Sequence, residues 1–319
     1  MSSDRPGVVL DGKYELIEAV GRGGMAVVWR AQTRGASGFR RPVAVKRLER
    51  SFKGYPEIEA MFVEEARVGA ALRHPNIVQI HDFGVDEQGE HYLVSEWVEG
   101  IHLGDYVQSF SGLRESTPWP LIAAIGVEVL RALEAAHSRR DAQGRLAPIL
   151  HRDVSPPNIL LDVHGVVKLA DFGMARAMDR GRMTQPDVVK GKLSYLAPEM
   201  VLGMGPSVQS DLFGLGVVLW EALTAERLFD ATTDAEVIEK LRDARVPLLS
   251  MKRPDLPMGL TSVVHRVLER EPQRRYASAR GMMAALVREL RVLPGSTDSP
   301  HLGRSVAEAR ARLTENGQR

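Results

Sequence analysis

The stretch His-Arg-Asp-Val-Ser-Pro-Pro-Asn, residues 151–158, decides how the rest of this 319-residue chain is interpreted. Eighteen residues after its aspartate, Asp153, comes a second polar cluster, Asp-Phe-Gly at residues 171–173. Two short β-type runs, 159–161 and 166–169, lie between the clusters, so each cluster falls on a loop beside a strand. Binding and catalytic side chains concentrate on such loops. The spacing therefore indicates a functional site that contains carboxylate and amide side chains.

The first hundred residues alternate short apolar runs with glycine-containing turns, which is the pattern of antiparallel strands. It predicts strands at residues 14–20, 27–32, 43–48, 77–83 and 92–97. Between the third and fourth runs, residues 57–72 show helical spacing, with Met61, Val68 and Leu72 on one face. This part of the chain is expected to form a small antiparallel sheet with one helix.

After Gly100 the apolar residues recur at helical spacing, so the second part is expected to be mainly helical. The predicted helices lie near residues 122–133, 210–223, 234–243, 260–268 and 278–291. Beyond them, the chain is rich in Pro, Gly and Ser before a short helical stretch at 305–313. Residues 292–319 are expected to form a linker, a partner helix or a disordered end.

The composition, with 44% hydrophobic and 26% charged residues, is that of a globular protein. The absence of cysteine excludes disulfides, zinc–thiolate sites and thiol nucleophiles, which leaves oxygen ligands for a metal ion. The 42 basic and 41 acidic residues nearly balance, so no net field favours nucleic acid or an anionic membrane. No apolar run approaches the roughly 20 residues that span a bilayer. We expect a soluble, cytoplasmic protein with no nucleic-acid partner and no membrane segment.

A glycine-rich stretch, Gly-Arg-Gly-Gly-Met-Ala-Val-Val at residues 21–28, lies between two predicted strands. It is therefore a hairpin tip, whereas the glycines of a dinucleotide-binding fold open a helix. Without Cβ atoms, Gly21, Gly23 and Gly24 could bring backbone N–H groups close to phosphates, and Val28 could cover a purine ring. The alternative is a purely structural turn.

Lys46 lies on the otherwise apolar strand that begins Val-Ala-Val-Lys at residue 43, and it shares a face with Ala44, where an unpaired ammonium would be costly to bury. The helix at 57–72 supplies two candidate partners, Glu64 and Glu65. Only Glu65 falls on the apolar stripe of that helix, so it is the carboxylate expected to face inward. The alternative is that these charges are solvated surface residues.

The order of these motifs resembles that of bacterial-type, eukaryotic-like Ser/Thr protein kinases, and the similarity runs from about Tyr14 to about Arg291. The resemblance implies an α+β, two-lobed protein-kinase fold, with a small antiparallel-sheet N-lobe containing one helix and a larger, mainly helical C-lobe. It divides the chain into an N-terminal extension (1–13), a catalytic domain (14–291) and a C-terminal tail or linker (292–319). The domain itself divides into an N-lobe (14–95), a hinge (96–100) and a C-lobe (101–291).

The resemblance further implies transfer of the γ-phosphoryl group of ATP to Ser or Thr hydroxyls of protein substrates, with self-association for autophosphorylation. Lys46, paired with Glu65, would hold the α- and β-phosphates, and Asp153 would orient the substrate hydroxyl. Asn158 and Asp171 would hold Mg²⁺, or Mn²⁺ in its place.

Adenine contacts and structural supports are implied in the same way. Val28, Ala44 and the backbone of Glu96 and Val98 would meet the adenine, with the small Ser95 behind that pocket. Asp211 would support the catalytic loop by accepting hydrogen bonds from its backbone N–H groups. Glu199 would support the Ala-Pro-Glu segment by pairing with Arg275.

Three positions that touch the centre of the implied mechanism depart from the family pattern. Ala26 replaces the third glycine of the glycine-rich loop. Ser155 stands where such kinases usually carry a lysine, and Lys192 stands where they usually carry a threonine. We hypothesise an exchange, in which the Lys192 ammonium supplies the missing charge near Asp153 or the γ-phosphate. The alternatives are an ATP-binding pseudokinase or signalling scaffold with impaired catalysis, and a small-molecule phosphotransferase.

Overall fold

The computed structural model of the chain describes residues 4–23, 25–52, 54–113, 115–172, 193–291 and 297–317. Contacts divide the chain into two compact units. Within the described residues, 4–73 and 78–97 belong to the first unit, and 74–77, 98–172 and 193–317 belong to the second. No helix in these ranges is both long enough and apolar enough to cross a membrane.

The first unit contains a six-stranded antiparallel sheet in the order β1-β2-β3-β4-β6-β5. Its strands are β1 (Val9–Leu10), β2 (Tyr14–Arg22), β3 (Ala26–Thr33), β4 (Pro42–Leu48), β5 (Ile80–Val85) and β6 (His91–Glu96). The strand predicted at 77–83 was wrong at its start, because Ile77 forms a bridge with Leu169 and belongs to the second unit. An apolar run marks burial but does not say which strand is the partner.

The helix predicted between the third and fourth strands is α1 (Pro56–Ala70). Its buried residues Phe62 and Ala66 pack in one cluster with Leu48 and Leu93 of the sheet. The opposite face of the sheet carries a second cluster, whose buried members include Val43, Val45, Trp29, Tyr92 and Val94. Apolar clusters therefore lie on both faces of the sheet, and neighbouring buried residues such as Tyr92, Leu93 and Val94 alternate between them.

The second unit is mainly helical and contains a three-stranded sheet, β7 (Gly100–His102), β8 (Ile159–Asp162) and β9 (Val167–Leu169). Its α-helices are α2 (Leu103–Ser111), α3 (Trp119–His137), α4 (Pro198–Val201), α5 (Val208–Thr224), α6 (Asp234–Asp243), α7 (Leu249–Lys252), α8 (Met258–Val267), α9 (Ala279–Arg291) and α10 (Ser299–Gly317). The sequence predictions missed β7 and α2, which are short and directly adjacent. They also placed the tail helix at 305–313, although α10 is about twice that length.

Helix α5 lies at the centre of the second unit, where residues 210–223 are all buried. The Ser207 side chain accepts a hydrogen bond from the Ser210 backbone, and the Ser210 side chain accepts one from the Ser207 backbone, which completes a capping box at the helix start. The helix begins at Val208, so Asp211 is its fourth residue. The first turn of α5 thus presents a carboxylate at a fixed place.

Candidate active site

The predicted contact between Lys46 on β4 and Glu65 on α1 is present. The Lys46 Nζ atom lies 2.7 Å from Glu65 Oε1, and the two side chains are only 12% and 3% exposed. Glu64, the other candidate, instead pairs with Arg67 on the surface of the same helix. A hydrogen-bonded partner is what a poorly exposed ammonium requires.

Strand register places the predicted nucleotide-binding residues of the first unit on one face of the sheet. Val28 lies opposite Lys46 across the β3–β4 pair, and Ala44 lies opposite Ser95 across the β4–β6 pair. Because side chains alternate along a strand, Val28, Ala44 and Lys46 share a face. Alternation assigns the intervening Val45 to the other face, where it is buried in the cluster that also contains Val43 and Trp29.

The glycine-rich stretch forms the predicted hairpin tip between β2 and β3. Gly21 pairs with Val28, and the Gly23 N–H donates to the Ala26 carbonyl at 2.8 Å. Gly21 and Gly23 are exposed. Gly24 lies outside the described residues.

The end of β6 is held by a reciprocal pair of hydrogen bonds. The Glu96 N–H donates to the Gln79 carbonyl at 2.9 Å, and the Gln79 N–H donates to Glu96 Oε1 at 2.8 Å. These bonds fix the backbone of Glu96, one of the two predicted hinge contacts. Val98, the other, belongs to the second unit, and the hinge assignment stays a prediction.

In the second unit, residues 151–158 form a loop that is closed by one amide. The Asn158 Nδ2 atom donates to the Asp153 carbonyl at 2.8 Å and to Asp153 Oδ2 at 3.2 Å. Pro156 and Pro157 precede Asn158 in a single 3₁₀ turn, which restricts the backbone there. Asp153, 8% exposed, is therefore held both by its backbone and by its side chain.

His151 holds the same loop through both of its ring nitrogens. Its Nδ1 accepts the Asp153 backbone N–H at 3.2 Å, and its Nε2 contacts the Ala170 carbonyl at 2.8 Å. A carbonyl only accepts, so this network places a proton on Nε2. The ring also packs edge-on against Phe172, with centroids 4.5 Å apart. His151 thereby links the Asp153 loop to the Asp-Phe cluster.

Asp211 braces the loop through backbone N–H groups, as predicted. Its carboxylate accepts from the N–H of His151 at 2.8 Å and from that of Arg152 at 2.7 Å. The position in the first turn of α5 favours a negative charge. Sequence reasoning missed a third donor, His137 Nε2, at 2.8 Å from Asp211. Its only signal was that it continues the stripe of Val129 and Leu133 at helical spacing.

Two non-glycine residues in these clusters adopt left-handed backbone angles, Arg152 at φ 68° and Asp171 at φ 62°. Such conformations concentrate at functional sites because the surrounding structure must maintain them. The Ala170 N–H donates to the Asn158 carbonyl at 2.8 Å. Because Ala170 directly precedes Asp171, this bond holds Asp171 near Asn158. Since the Asn158 nitrogen makes the bonds to Asp153, its oxygen and the Asp171 carboxylate form a donor set that fits a hard cation such as Mg²⁺.

The predicted pair of Glu199 and Arg275 is buried and bidentate, with both N–O distances at 2.7 Å. A second cluster was not predicted: Tyr195 donates to Glu221 Oε2 at 2.8 Å, beside Arg227. Burial raises the pKa of Tyr195 and also that of Glu221. Both clusters anchor the segment that leads into α4.

The hypothesised exchange involves Ser155 and Lys192. Ser155 is buried, and its hydroxyl lies 3.5 Å from the Asp153 carbonyl, at the limit of hydrogen bonding. Lys192 lies outside the described residues.

The chain is similar to known proteins over most of its length. The family described as protein kinase domain matches residues 14–287. Serine/threonine-protein kinase PknA of Mycobacterium tuberculosis is 36% identical over 315 residues, which cover 96% of this chain and 68% of PknA. Tyrosine-protein kinase MasK of Myxococcus xanthus is 36% identical and covers 86% of this chain. Serine/threonine-protein kinase PrkC of Bacillus subtilis is 31% identical and also covers 86%.

The chain spans only 42% of MasK and 40% of PrkC. Among solved structures, the kinase domain of Mycobacterium tuberculosis PknI matches with a TM-score of 0.69 and 27% identity, over 91% of this chain and 100% of that one. The fold of the two units is thus the protein kinase fold that the motifs predicted. From the family match and these relatives it follows that the chain belongs to the protein kinase family, among the bacterial Ser/Thr protein kinases.

Proposed function

We propose that this chain is an active Ser/Thr protein kinase, which transfers the γ-phosphoryl group of ATP to hydroxyls of protein substrates. Membership of the family carries the use of ATP and of a divalent metal ion. The observation that carries the proposal is the loop at 151–158, where Asn158 holds the Asp153 carboxylate and Asp211 holds the backbone beside it. A carboxylate placed in this way suits the orientation of a hydroxyl nucleophile.

In the proposed reaction, Asp153 accepts a hydrogen bond from the substrate hydroxyl and turns its oxygen toward the γ-phosphorus. A new P–O bond forms to that oxygen as the bond between the γ-phosphorus and the β,γ-bridging oxygen breaks. The hydroxyl proton passes to the Asp153 carboxylate, and ADP is the leaving group. Little covalent chemistry is asked of the protein, so positioning and charge neutralisation supply the catalysis.

We assign the phosphate contacts of the first unit to Lys46 and to the backbone of Gly21 and Gly23. The ion pair with Glu65 supports this assignment, because it holds the Lys46 ammonium on the sheet face shared with Val28. Adenine contacts at Val28, Ala44, Glu96 and Val98 complete the proposed nucleotide site.

We assign Mg²⁺ to the side-chain oxygens of Asn158 and Asp171, with Mn²⁺ as a substitute. When bound, the ion would neutralise negative charge on the phosphates. The protein supplies the ligands and holds them: Asn158 by its bonds to Asp153, and Asp171 by the link between Ala170 and Asn158.

Lys192 remains our candidate for the positive charge that Ser155 does not provide. If it acts there, Lys192→Ala lowers turnover on the order of 10²–10³-fold. Turnover close to that of the parent chain removes the exchange hypothesis.

The proposal is tested with γ-labelled ATP and Mg²⁺, followed by phosphoamino acid analysis of the chain and of a Ser/Thr-containing peptide mixture. We expect label on Ser and Thr, and a loss of about 10²-fold or more in Asp153→Asn. Asp243→Asn, a matched change at an exposed carboxylate of α6, serves as the control.

Each outcome of this experiment is informative. If the parent chain binds ATP but transfers no phosphoryl group, the proposed enzyme activity is wrong and the chain is an ATP-binding scaffold. No contact among the described residues favours a scaffold. Label on tyrosine alone would reverse the assigned specificity, a result of interest because MasK is named a tyrosine-protein kinase.

Autophosphorylation between copies would require self-association, which we include in the proposal. We therefore expect the autophosphorylation rate per chain to rise with protein concentration.

We expect the reaction to take place in the cytoplasm, because that compartment supplies ATP. For the chain boundaries, we keep 14–291 as the proposed catalytic domain.

A further inference from the structure

Helix α10 packs along the second unit, although it follows the last helix of the proposed catalytic domain. It contacts α2, β7 and β8. Leu302, Val306 and Ala309 are buried, and their spacing of four and three residues places them on one face of the helix. The exposed residues Arg304 and Ala307 lie between them. This amphipathic helix therefore has its apolar face covered by its own chain.

Backbone contact at the start of α10 is unusually close. A Cβ atom added at Gly165 would lie 1.8 Å from the Ser299 carbonyl oxygen, and one added at Gly303 would lie 2.6 Å from that of Val163. Further along, the Tyr106 hydroxyl is 2.7 Å from that of Ser305. These contacts fix the register of α10 against α2 and the β8–β9 turn.

Arg310 of α10 reaches the residue that follows Val98. Its Nη1 lies 2.5 Å from Glu99 Oε1, and the Glu99 carbonyl accepts the Val163 N–H at 2.9 Å. Glu99 thus connects α10 and the β8–β9 turn to the segment that begins β7. One neighbour of Glu99 is Val98, whose backbone is assigned to adenine.

The contacts of α10 also approach the proposed metal ligands through the small sheet. Strand β7 pairs with β8, which begins directly after Asn158, and β9 leads toward Asp171. Helix α10 therefore packs on the strand that follows Asn158, and that strand in turn pairs with the one that leads toward Asp171.

We propose that α10 belongs to the catalytic unit and that Arg310 is a positioning residue for nucleotide binding. By holding Glu99, it keeps the backbone of residues 98–102 in the conformation that receives adenine. This inference rests on the proposed function, since the adenine contact at Val98 is part of it. Residues 299–317 are then a working part of the kinase and not a passive connection.

The test uses the full 319-residue chain and compares Arg310→Glu with Arg304→Glu, a charge reversal on the exposed side of the same helix. We expect Arg310→Glu to raise the calorimetric Kd and the KM for ATP on the order of threefold to tenfold, with kcat within about twofold. Arg310→Lys should retain most of the ATP affinity. The melting temperatures of both reversals should agree, since the pair is partly exposed.

Equal ATP affinities in Arg310→Glu and Arg304→Glu would overturn the role of Arg310. A second comparison tests the helix as a whole: Val306→Asp, which charges the buried face, should weaken ATP binding more than Ala307→Asp on the exposed face. Equal ATP affinities in this second pair of variants would mean that α10 is a passive tail.

Hydrogen exchange without nucleotide separates this inference from the proposed function. Faster exchange at residues 98–102 in Arg310→Glu than in Arg304→Glu supports the positioning role even if the parent chain transfers no phosphoryl group. Identical exchange contradicts the positioning role even if the parent chain is an active kinase.

Discussion

At the scale of single residues, Arg275 shows how this chain accommodates a buried charge. All five N–H groups of its guanidinium have acceptors: two on the carboxylate of Glu199, and the others on the carbonyls of Gln209, Glu269 and Arg270. Removing a partner from such a pair leaves an uncompensated charge, which is far costlier than losing a surface ion pair. The complete set of bonds is what allows Glu199 to be buried beside the Ala-Pro segment.

Arg275→Lys is expected to destabilise the chain despite keeping the charge. Lysine has three donors and no planar fork, so several of these acceptors lose their partner. We expect the free energy of unfolding in urea to fall by about 2 kcal/mol. Arg274→Lys, at the neighbouring and largely exposed arginine, is the control and should change it by less than about 0.5 kcal/mol. Equal effects of the two substitutions would contradict the importance of the five-bond geometry.

At the scale of elements, helices hold the loops of the second unit from two directions. The start of α5 presents Asp211 to the backbone beside Asp153, while α10 presses its first turns against the β8–β9 turn. Both are contacts to backbone atoms, which leave little room for adjustment by side-chain rotation. Steric changes at these contacts should therefore be costly.

Gly165→Ala tests the contact between α10 and the β8–β9 turn. Gly165 has φ +81°, and the new Cβ would also meet the Ser299 carbonyl. Gly203 has nearly the same angle, φ +82°, but nothing within 4 Å of such a Cβ. Gly203→Ala thus measures the backbone strain alone.

We expect Gly165→Ala to lower the free energy of unfolding by about 1–3 kcal/mol more than Gly203→Ala, the range for overpacking. Urea unfolding of the two variants checks this difference. Equal losses would mean that the start of α10 moves away from the turn without cost.

At the scale of the whole molecule, both units contain poorly exposed tyrosines with raised pKa values. Burial, followed by the hydrogen bond to Asp82, raises the pKa of Tyr14 to about 12. Burial also raises the pKa of Tyr92, which donates to Asp11, and that of Tyr195 beside Glu221. In each case the folded chain holds a proton that the unfolded chain releases near pH 10.

The stability of the whole chain is therefore expected to fall as pH rises from about 10 toward 12. Below pH 10 both states keep the phenolic protons, so the contribution of these groups is fully present there. Tyr14→Phe should flatten part of the alkaline decline, whereas Tyr55→Phe, at an exposed tyrosine, should not. Urea unfolding across this pH range measures the slope, and an unchanged slope in Tyr14→Phe would contradict the assignment.

Much of the fold and some site contacts could be predicted because they depend on local periodicity. Helical spacing distinguished Glu65 from Glu64, and the face shared by Ala44 and Lys46 follows from strand alternation. The bond between His137 and Asp211 could not be predicted in this way, since the two residues are 74 positions apart and share no motif. Strand β7 also escaped prediction, because three residues are too few to show a period.

The sequence alone determined the family, most of the longer strands and helices, and the side chains available for phosphoryl transfer. These follow from residue types and spacings that local backbone geometry turns into faces and turns. Only the tertiary structure decided that residues 299–317 pack on the second unit, that Arg310 reaches Glu99 and that Arg152 and Asp171 are held at positive φ. Such features arise where segments distant along the chain meet, because packing and hydrogen bonds between them override the preferences of each segment alone.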